Sequence, residues 1–205
     1  MHKLTVPISE EAIRELKAGD PVSLNGVIVT GRDAAHKYLI DNFVKTGGQP
    51  PAAEQDMYAT LQTLLKESVI YHCGPVVQQT DGIWKFVAAG PTTSIREEPY
   101  QADVIEHFNV RAVIGKGGMG AKTLQACQDF GAVYLHAIGG AATLIAESVK
   151  EVITVHKMEF GVPEAFWVIR VEDFPVVVTM DSHGNSLHKQ MLEQSTEKFA
   201  QLIKG

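Results

Sequence analysis

Three cations in this 205-residue chain stand beside glycines and hydroxyls, a combination suited to gripping a small anion. The first group is Gly90-Pro91-Thr92-Thr93-Ser94-Ile95-Arg96, in which Arg96 can clamp a carboxylate in bidentate fashion while a threonine hydroxyl donates to it or moves a proton. An unassisted alcohol is a poor base, so a threonine in that role needs cations or a metal close by to lower its pKa. The second group is Gly115-Lys116-Gly117-Gly118-Met119-Gly120, and the third is Thr30-Gly31-Arg32-Asp33. Each has a structural reading as well. Three hydroxyls in a row are ordinary at a helix cap, Arg96 can pair with Glu97 or Glu98, and Arg32 can pair with Asp33.

The glycine loop at 115–120 matches G-x-G-x-x-G between an expected strand and an expected helix, the setting of a dinucleotide fingerprint. The acidic residue that should end the next strand and hold the ribose is missing, because that strand runs into Gly139-Gly140. A small anion at a helix N-terminus with open N–H groups, assisted by Lys116, is the reading that survives. Two further polar loops, Tyr71-His72-Cys73-Gly74-Pro75 and Asp181-Ser182-His183-Gly184-Asn185, follow expected strands and put His72 and His183 forward as pocket lining, along with Gly117 and Gly118. His36 falls inside a helix and reads as a partly buried, hydrogen-bonded histidine. His183 and His188 are five apart, which is wrong for two ligands on one helix face, and the chain has neither His-Glu-x-x-His nor Gly-x-Ser-x-Gly. No metal site is expected on this chain.

Composition narrows the partners. Net charge is −6, with no basic run, which argues against nucleic acid. The longest apolar run, 132–146, holds His136 and the Gly139-Gly140 break and is too short to span a membrane. Met1–Pro7 lacks an apolar signal core, and the two cysteines, Cys73 and Cys127, are far apart, so neither a disulfide framework nor a cysteine zinc site is expected. The cytoplasm is the expected location.

The elements that must position these loops follow from periodicity. Helices are expected over 9–18, 32–44, 54–67, 99–108, 121–130, 141–149 and 187–203. Strands are expected over 22–30 (turning near Asn25-Gly26), 69–72, 76–77, 83–88, 110–114 and 132–138, with a last pair, 167–171 and 176–180, around Asp173-Phe174-Pro175. Alternating strands and helices after residue 90 predict an α/β fold, here one compact domain over 1–205 with a β-rich first half.

Taken in order, Val29–His36, Tyr71–Pro75, Gly90–Arg96, Val113–Gly120 and Asp181–Asn185 resemble the β subunit of two-subunit class I fumarate hydratases and L-tartrate dehydratases. The same unit forms the C-terminal domain of single-chain class I fumarases. Cys73 departs from the small residue, such as alanine, that the resemblance leads one to expect. The resemblance implies a swivelling β/β/α domain with a mixed sheet and flanking helices, and a hydro-lyase site shared with an α subunit, in an α2β2 assembly. It places a [4Fe–4S] cluster on that α subunit and none on this chain. It implies Arg32, Arg96 and Lys116 as binders of the dicarboxylate or hydroxy-acid substrate, and Thr92 as the proton-transfer residue. Fumarate hydration to L-malate is the expected reaction. L-tartrate dehydration to oxaloacetate and a non-catalytic organic-anion-binding module are the alternatives.

Overall fold

The computed structural model describes residues 1–203. In chain order the elements are β1 (His2–Thr5), α1 (Glu10–Arg14), β2 (Pro21–Thr30), α2 (Asp33–Leu39), α3 (Gln55–Leu65), β3 (Val69–Tyr71), β4 (Val76–Thr80) and β5 (Ile83–Ala88). They continue with α4 (Glu98–Phe108), β6 (Ala112–Gly115), α5 (Ala121–Phe130), β7 (Val133–His136), α6 (Ala142–Ser148), β8 (Val149–His156), β9 (Phe166–Met180) and α7 (Leu187–Leu202).

A seven-stranded sheet runs in the order β1-β2-β3-β6-β7-β9-β8, and β2 also pairs with β9. The strands β2, β3, β6, β7 and β9 therefore close into a ring. The pairs β2–β3, β3–β6 and β6–β7 are parallel, whereas β9 runs antiparallel to β2, β7 and β8. Closure pairs each ring strand on both sides, leaving only β1 and β8 as edges among the described residues of this sheet. Alternate side chains face opposite ways, as strand geometry requires. Val69, Tyr71, Ala112, Ile114, Val133 and Leu135 join one buried cluster with Trp167, Ile169 and Phe174. Their neighbours Ile70, Val113 and Tyr134 join a second cluster with Leu61, Leu65, Val104, Ile105 and Ala126 of the covering helices. Both faces of these short strands are thus dry, and so they read in the sequence as unbroken apolar runs.

Three expectations are corrected. The segments 167–171 and 176–180 are not a strand pair. They belong to the single fifteen-residue strand β9. Asp173 takes a left-handed φ of 49° and is held there across the sheet, its carboxylate accepting from Ser23 Oγ at 3.0 Å and its N–H donating to Asn25 Oδ1 at 2.9 Å. The Asp-Phe-Pro group bends the strand around the ring instead of reversing it. Opposite it, Asn25-Gly26 is a register shift within β2 and not a turn. Gly26 has φ 110°, and a side chain there would meet the Val6 backbone at 3.0 Å. Strands β1 and β8 went unforeseen. β8 is an edge strand with exposed Lys150 and Glu151, so its charges hide its periodicity. Helices are also shorter than expected: α1 stops at Arg14 after its Ser9 cap, and α2 widens into a π-helical turn over Ile40–Val44.

Candidate active site

The parallel strands deliver their C-terminal ends side by side, with Thr30 of β2 opposite Tyr71 of β3, and Tyr71 opposite Ile114 of β6. The loops leaving those ends carry Arg32, His72-Cys73-Gly74 and Lys116-Gly117. The 91–94 segment is threaded between two of them. Thr92 N–H donates to the His72 carbonyl at 2.7 Å, Lys116 N–H donates to the Thr92 carbonyl at 3.1 Å, and Ser94 N–H donates to the Lys116 carbonyl at 3.1 Å. Thr92 is half-buried, and its hydroxyl donates to the His72 carbonyl at 3.0 Å, leaving its oxygen lone pairs free.

The structure brings Arg32, Arg96, Thr92 and Lys116 to this same end. Arg32 precedes α2, and its Nη1 lies 3.3 Å from Glu164 Oε1. Its guanidinium passes over Gly74, where a Cβ would sit 2.5 Å from Nη1, so only glycine leaves it room. Arg96 is 58% exposed and pairs with Asp33, the residue after Arg32, which holds it beside the Arg32 backbone. Lys116 is exposed and bends towards Gly139, with its Cδ 3.8 Å from where a Cβ would stand. The partners differ from those read in the sequence: Arg96 takes Asp33 instead of Glu97 or Glu98, and Arg32 takes Glu164 instead of Asp33.

Gly117 has φ 81° and lies exposed at the turn. Gly118 is buried, and a Cβ there would fall 2.3 Å from the His188 ring, so this glycine permits close packing and lines no open pocket. His72 is likewise fully buried beneath the site. His183 lies at the other end of the barrel. Its Nε2 bonds the Arg14 carbonyl at 2.9 Å, and its neighbour Gly184 packs on Gln128, near the C-terminal end of α5 and so near the start of β7. The structure therefore separates His183 from the three cations.

The open helix N-terminus expected after the 115–120 loop is also corrected. Glu98 of α4 fills it, accepting from Gly120 N–H at 2.7 Å, Lys122 N–H at 3.1 Å and Thr123 Oγ1 at 2.7 Å. A carboxylate there satisfies donors that α5 cannot pair itself, so no place is left for a nucleotide phosphate. The start of α2 is filled in the same way, with Ala34 N–H donating to Glu164 Oε2 at 3.0 Å.

Below the cations lies a polar layer that sequence reasoning largely missed. His36 and His72 meet at the Gln101 amide, His72 also meets Ser94, and the Tyr134 hydroxyl donates to Ser94 Oγ at 2.8 Å. Burial pushes both imidazoles below their ordinary pKa. Glu97 Oε2 stands 4.0 Å from His72 Nδ1, and burial pushes this carboxyl up to about 7 against the pull of Arg96 and Arg32. One signal was available: Gln101 shares the apolar stripe of Val104, Ile105 and Phe108, at helical spacings of three, four and seven.

The family described as Fumarase C-terminus matches residues 2–191. The chain is 53% identical over 199 residues to a Geobacillus stearothermophilus protein provisionally named a class I fumarate hydratase, covering 97% of this chain but 35% of that protein. It is 40% identical to a Methanocaldococcus jannaschii protein provisionally named the β subunit of L(+)-tartrate dehydratase, over 96% of this chain and 95% of that one. It is 38% identical to the L(+)-tartrate dehydratase β subunit of Escherichia coli K12, over 90% of this chain and 85% of the subunit. The chain thus spans about a third of the fumarate hydratase relative and nearly the whole of the β subunits. On the span of that match and on these identities, the chain belongs to the fumarase C-terminal family.

Proposed function

We propose that this chain is the β subunit of an iron–sulfur-dependent hydro-lyase that hydrates fumarate reversibly to L-malate. The observation that carries the reading is the seating of Thr92 between the His72 and Lys116 backbones, with Arg32 and Arg96, the latter paired to the Asp33 that follows Arg32, at the same strand ends. Fumarate and malate are dianions, and Arg32, Arg96 and Lys116 offer three cations to two carboxylates, with Glu164 and Asp33 already beside the two arginines. A bidentate arginine–carboxylate bond contributes roughly 1.5–3 kcal/mol. The Arg96–Asp33 pair is partly exposed, so an incoming carboxylate displaces it at little cost. Removing the C3 proton of malate builds charge on the adjacent carboxylate, and a cation held there stabilises the transition state more than the ground state. Thr92 receives that proton as its alkoxide, formed by loss of the hydroxyl proton to solvent and favoured because the surrounding cations lower the hydroxyl's pKa; in the hydration direction the hydroxyl gives the proton to carbon.

Half a site is present. Thr92 is half-buried and Lys116 and Arg96 are exposed, so a second surface has to cover the substrate and exclude water. A partner α subunit bearing a [4Fe–4S] cluster supplies it in this proposal, in an α2β2 assembly. This chain does not fit the role of cluster holder. Cys73 and Cys127 are buried, and burial pushes both thiols up to about 12, so neither offers the thiolate that iron requires.

Two facts favour different substrates. Identity is higher to the fumarate hydratase relative, while the length matches the tartrate dehydratase β subunits. The deciding experiment is anaerobic reconstitution with the α partner, followed by assays on fumarate, L-malate, L-tartrate and mesaconate. Activity on fumarate and L-malate above the others is the expected outcome. A preference for L-tartrate replaces the substrate, activity from the isolated chain overturns the shared site, and no activity from the complex overturns the enzyme reading in favour of a bare anion-binding module.

A further inference from the structure

The buried polar layer beneath the cations fixes its own protons. His36 and His72 are both buried, with rings 5.1 Å apart and nearly perpendicular. Both Nε2 atoms lie 2.9 Å from the same corner of the Gln101 amide. His36 Nδ1 lies 2.9 Å from the Arg32 carbonyl oxygen, and His72 Nδ1 lies 2.8 Å from Ser94 Oγ.

A carbonyl only accepts, so His36 Nδ1 must carry a proton. A neutral imidazole has one, which leaves a bare lone pair on Nε2, and the amide corner facing it must then be the NH2 group. That group has two protons. The second points at His72 Nε2, which is therefore a lone pair as well, and His72 donates through Nδ1 to Ser94 Oγ. Ser94 Oγ has room for this, since it accepts from Tyr134 with its other lone pair. With Gln101 Oε1 at that corner, both Nε2 atoms would have to donate and His36 would be a cation, and either orientation leaves the other amide corner without a partner. A buried imidazolium is costly, and burial moves His36 towards the neutral form, so the NH2 faces the two rings.

We propose that Gln101 is a positioning residue, whose single NH2 group locks two Nδ1–H histidines so that the Arg32 carbonyl and the Ser94 hydroxyl are held at a fixed separation. Arg32 belongs to the loop after β2, and Ser94 lies two residues beyond Thr92 in the segment threaded between β3 and β6. The lock spans the two pieces of backbone that carry a carboxylate binder and the proton carrier. Nothing else in the polar layer joins them through one side chain. The catalytic significance rests on the function proposed above, but the proton arrangement does not.

Two experiments test it on the full chain and its complex. Imidazole nitrogen NMR of the nitrogen-15-histidine-labelled chain should show His36 and His72 both protonated on Nδ1, bare on Nε2 and unchanging between pH 6 and 8. A proton on Nε2 of either ring, or an imidazolium at His36, overturns the lock. Gln101→Glu replaces the donor corner with acceptors, so it should move the proton of His72 to Nε2 in the same spectra. In the reconstituted complex it should lower kcat on the order of tenfold to a hundredfold, as small misplacements do, while the cluster content stays that of the parent. A moved proton with kcat within twofold of the parent overturns the positioning role. If Gln101→Glu does not fold, Gln101→Met, which keeps the volume and removes both donors, takes its place under the same criteria. A parent complex inactive on every dicarboxylate sinks the proposed function instead, and the spectra still judge the lock.

Discussion

The two ends of the barrel carry polar loops that look alike in sequence and behave oppositely in the fold. At the start of β7, the 181–185 loop turns its carboxylate inward onto its own chain, with the buried Ser182 hydroxyl left without a partner among the described residues. The Asp181 carboxylate is fully buried and accepts from Ala18 N–H at 3.0 Å, His183 N–H at 3.0 Å and Asn185 N–H at 2.9 Å, besides the Asn185 side-chain amide. Burial pushes the Asp181 pKa up, and the hydrogen bonds more than offset it, leaving the carboxyl below its ordinary value. At the opposite end, Lys116 and Arg96 are exposed, Thr92 keeps free lone pairs, and the ion-pair partner of Arg96 among the described residues is the half-buried Asp33. A polar loop whose donors and acceptors are mutually satisfied is structural. A polar loop that presents charge to an open face is available for chemistry.

The largest effects should separate these ends cleanly. Thr92→Val and Lys116→Ala should each lower hydro-lyase kcat/KM in the reconstituted complex by about two to four orders of magnitude, with the melting temperature of the chain almost unmoved. Thr92→Val should act through kcat, since the hydroxyl works on the departing proton, whereas Lys116→Ala should act on KM as well. A drop in melting temperature without selective loss of turnover would make the top loops structural and erase the contrast.

Asp181→Ala is the mirror experiment, and somewhat smaller in energy. It removes the acceptor of several part-buried N–H donors, a loss of about 3 kcal/mol. For a chain of this size that lowers the melting temperature by about 6–12 °C. Turnover per folded molecule should stay at the parent value, as measured after normalising to the folded fraction by circular dichroism. Lost turnover with an intact melt would mean that this loop reaches the substrate after all.

How much of this was legible depended on the range of the interaction. The glycine–cation–hydroxyl loops stood out because each is local: Arg96 lies four residues after Thr92, and Lys116 follows its own strand directly. Their ion-pair partners did not stand out. Glu164 reaches Arg32 across more than a hundred residues, and Glu98 fills the α5 terminus from another helix. Nothing in the spacing of the 115–120 loop could reveal that its N–H groups were already taken. Ring closure was equally hidden, because it depends on β9 staying extended through Asp173 and Pro175, residues that ordinarily stop strands. The Asp181 loop was the instructive failure: its motif is as polar as the others, and only the hydrogen-bond inventory distinguishes support from function.

Glu97 tests the contrast from inside the top end, with the smallest effect. It is a buried carboxyl beneath exposed cations, and its pKa in the fold is about 7 against an ordinary value of 4.5. Between those values the native chain holds a proton that the unfolded chain has released, so stability falls as pH rises through that window and levels off above it. On the order of 2 kcal/mol is lost this way by pH 8. His36 and His72 act with the opposite sign. Their folded pKa values are depressed, so their contribution is present above about 6.5 and is lost as pH falls below it. Subtracting a variant from the parent largely separates the two. Glu97→Gln mimics the protonated acid at every pH, so the variant should match the parent near pH 4 and become progressively more stable than it through the window up to about pH 7, with no further gain above that, in urea unfolding followed by circular dichroism. A stability difference that does not change with pH would mean that Glu97 is ionised throughout, paired with Arg96 or Arg32, and that the charged face of the site reaches one layer deeper than the open cations suggest.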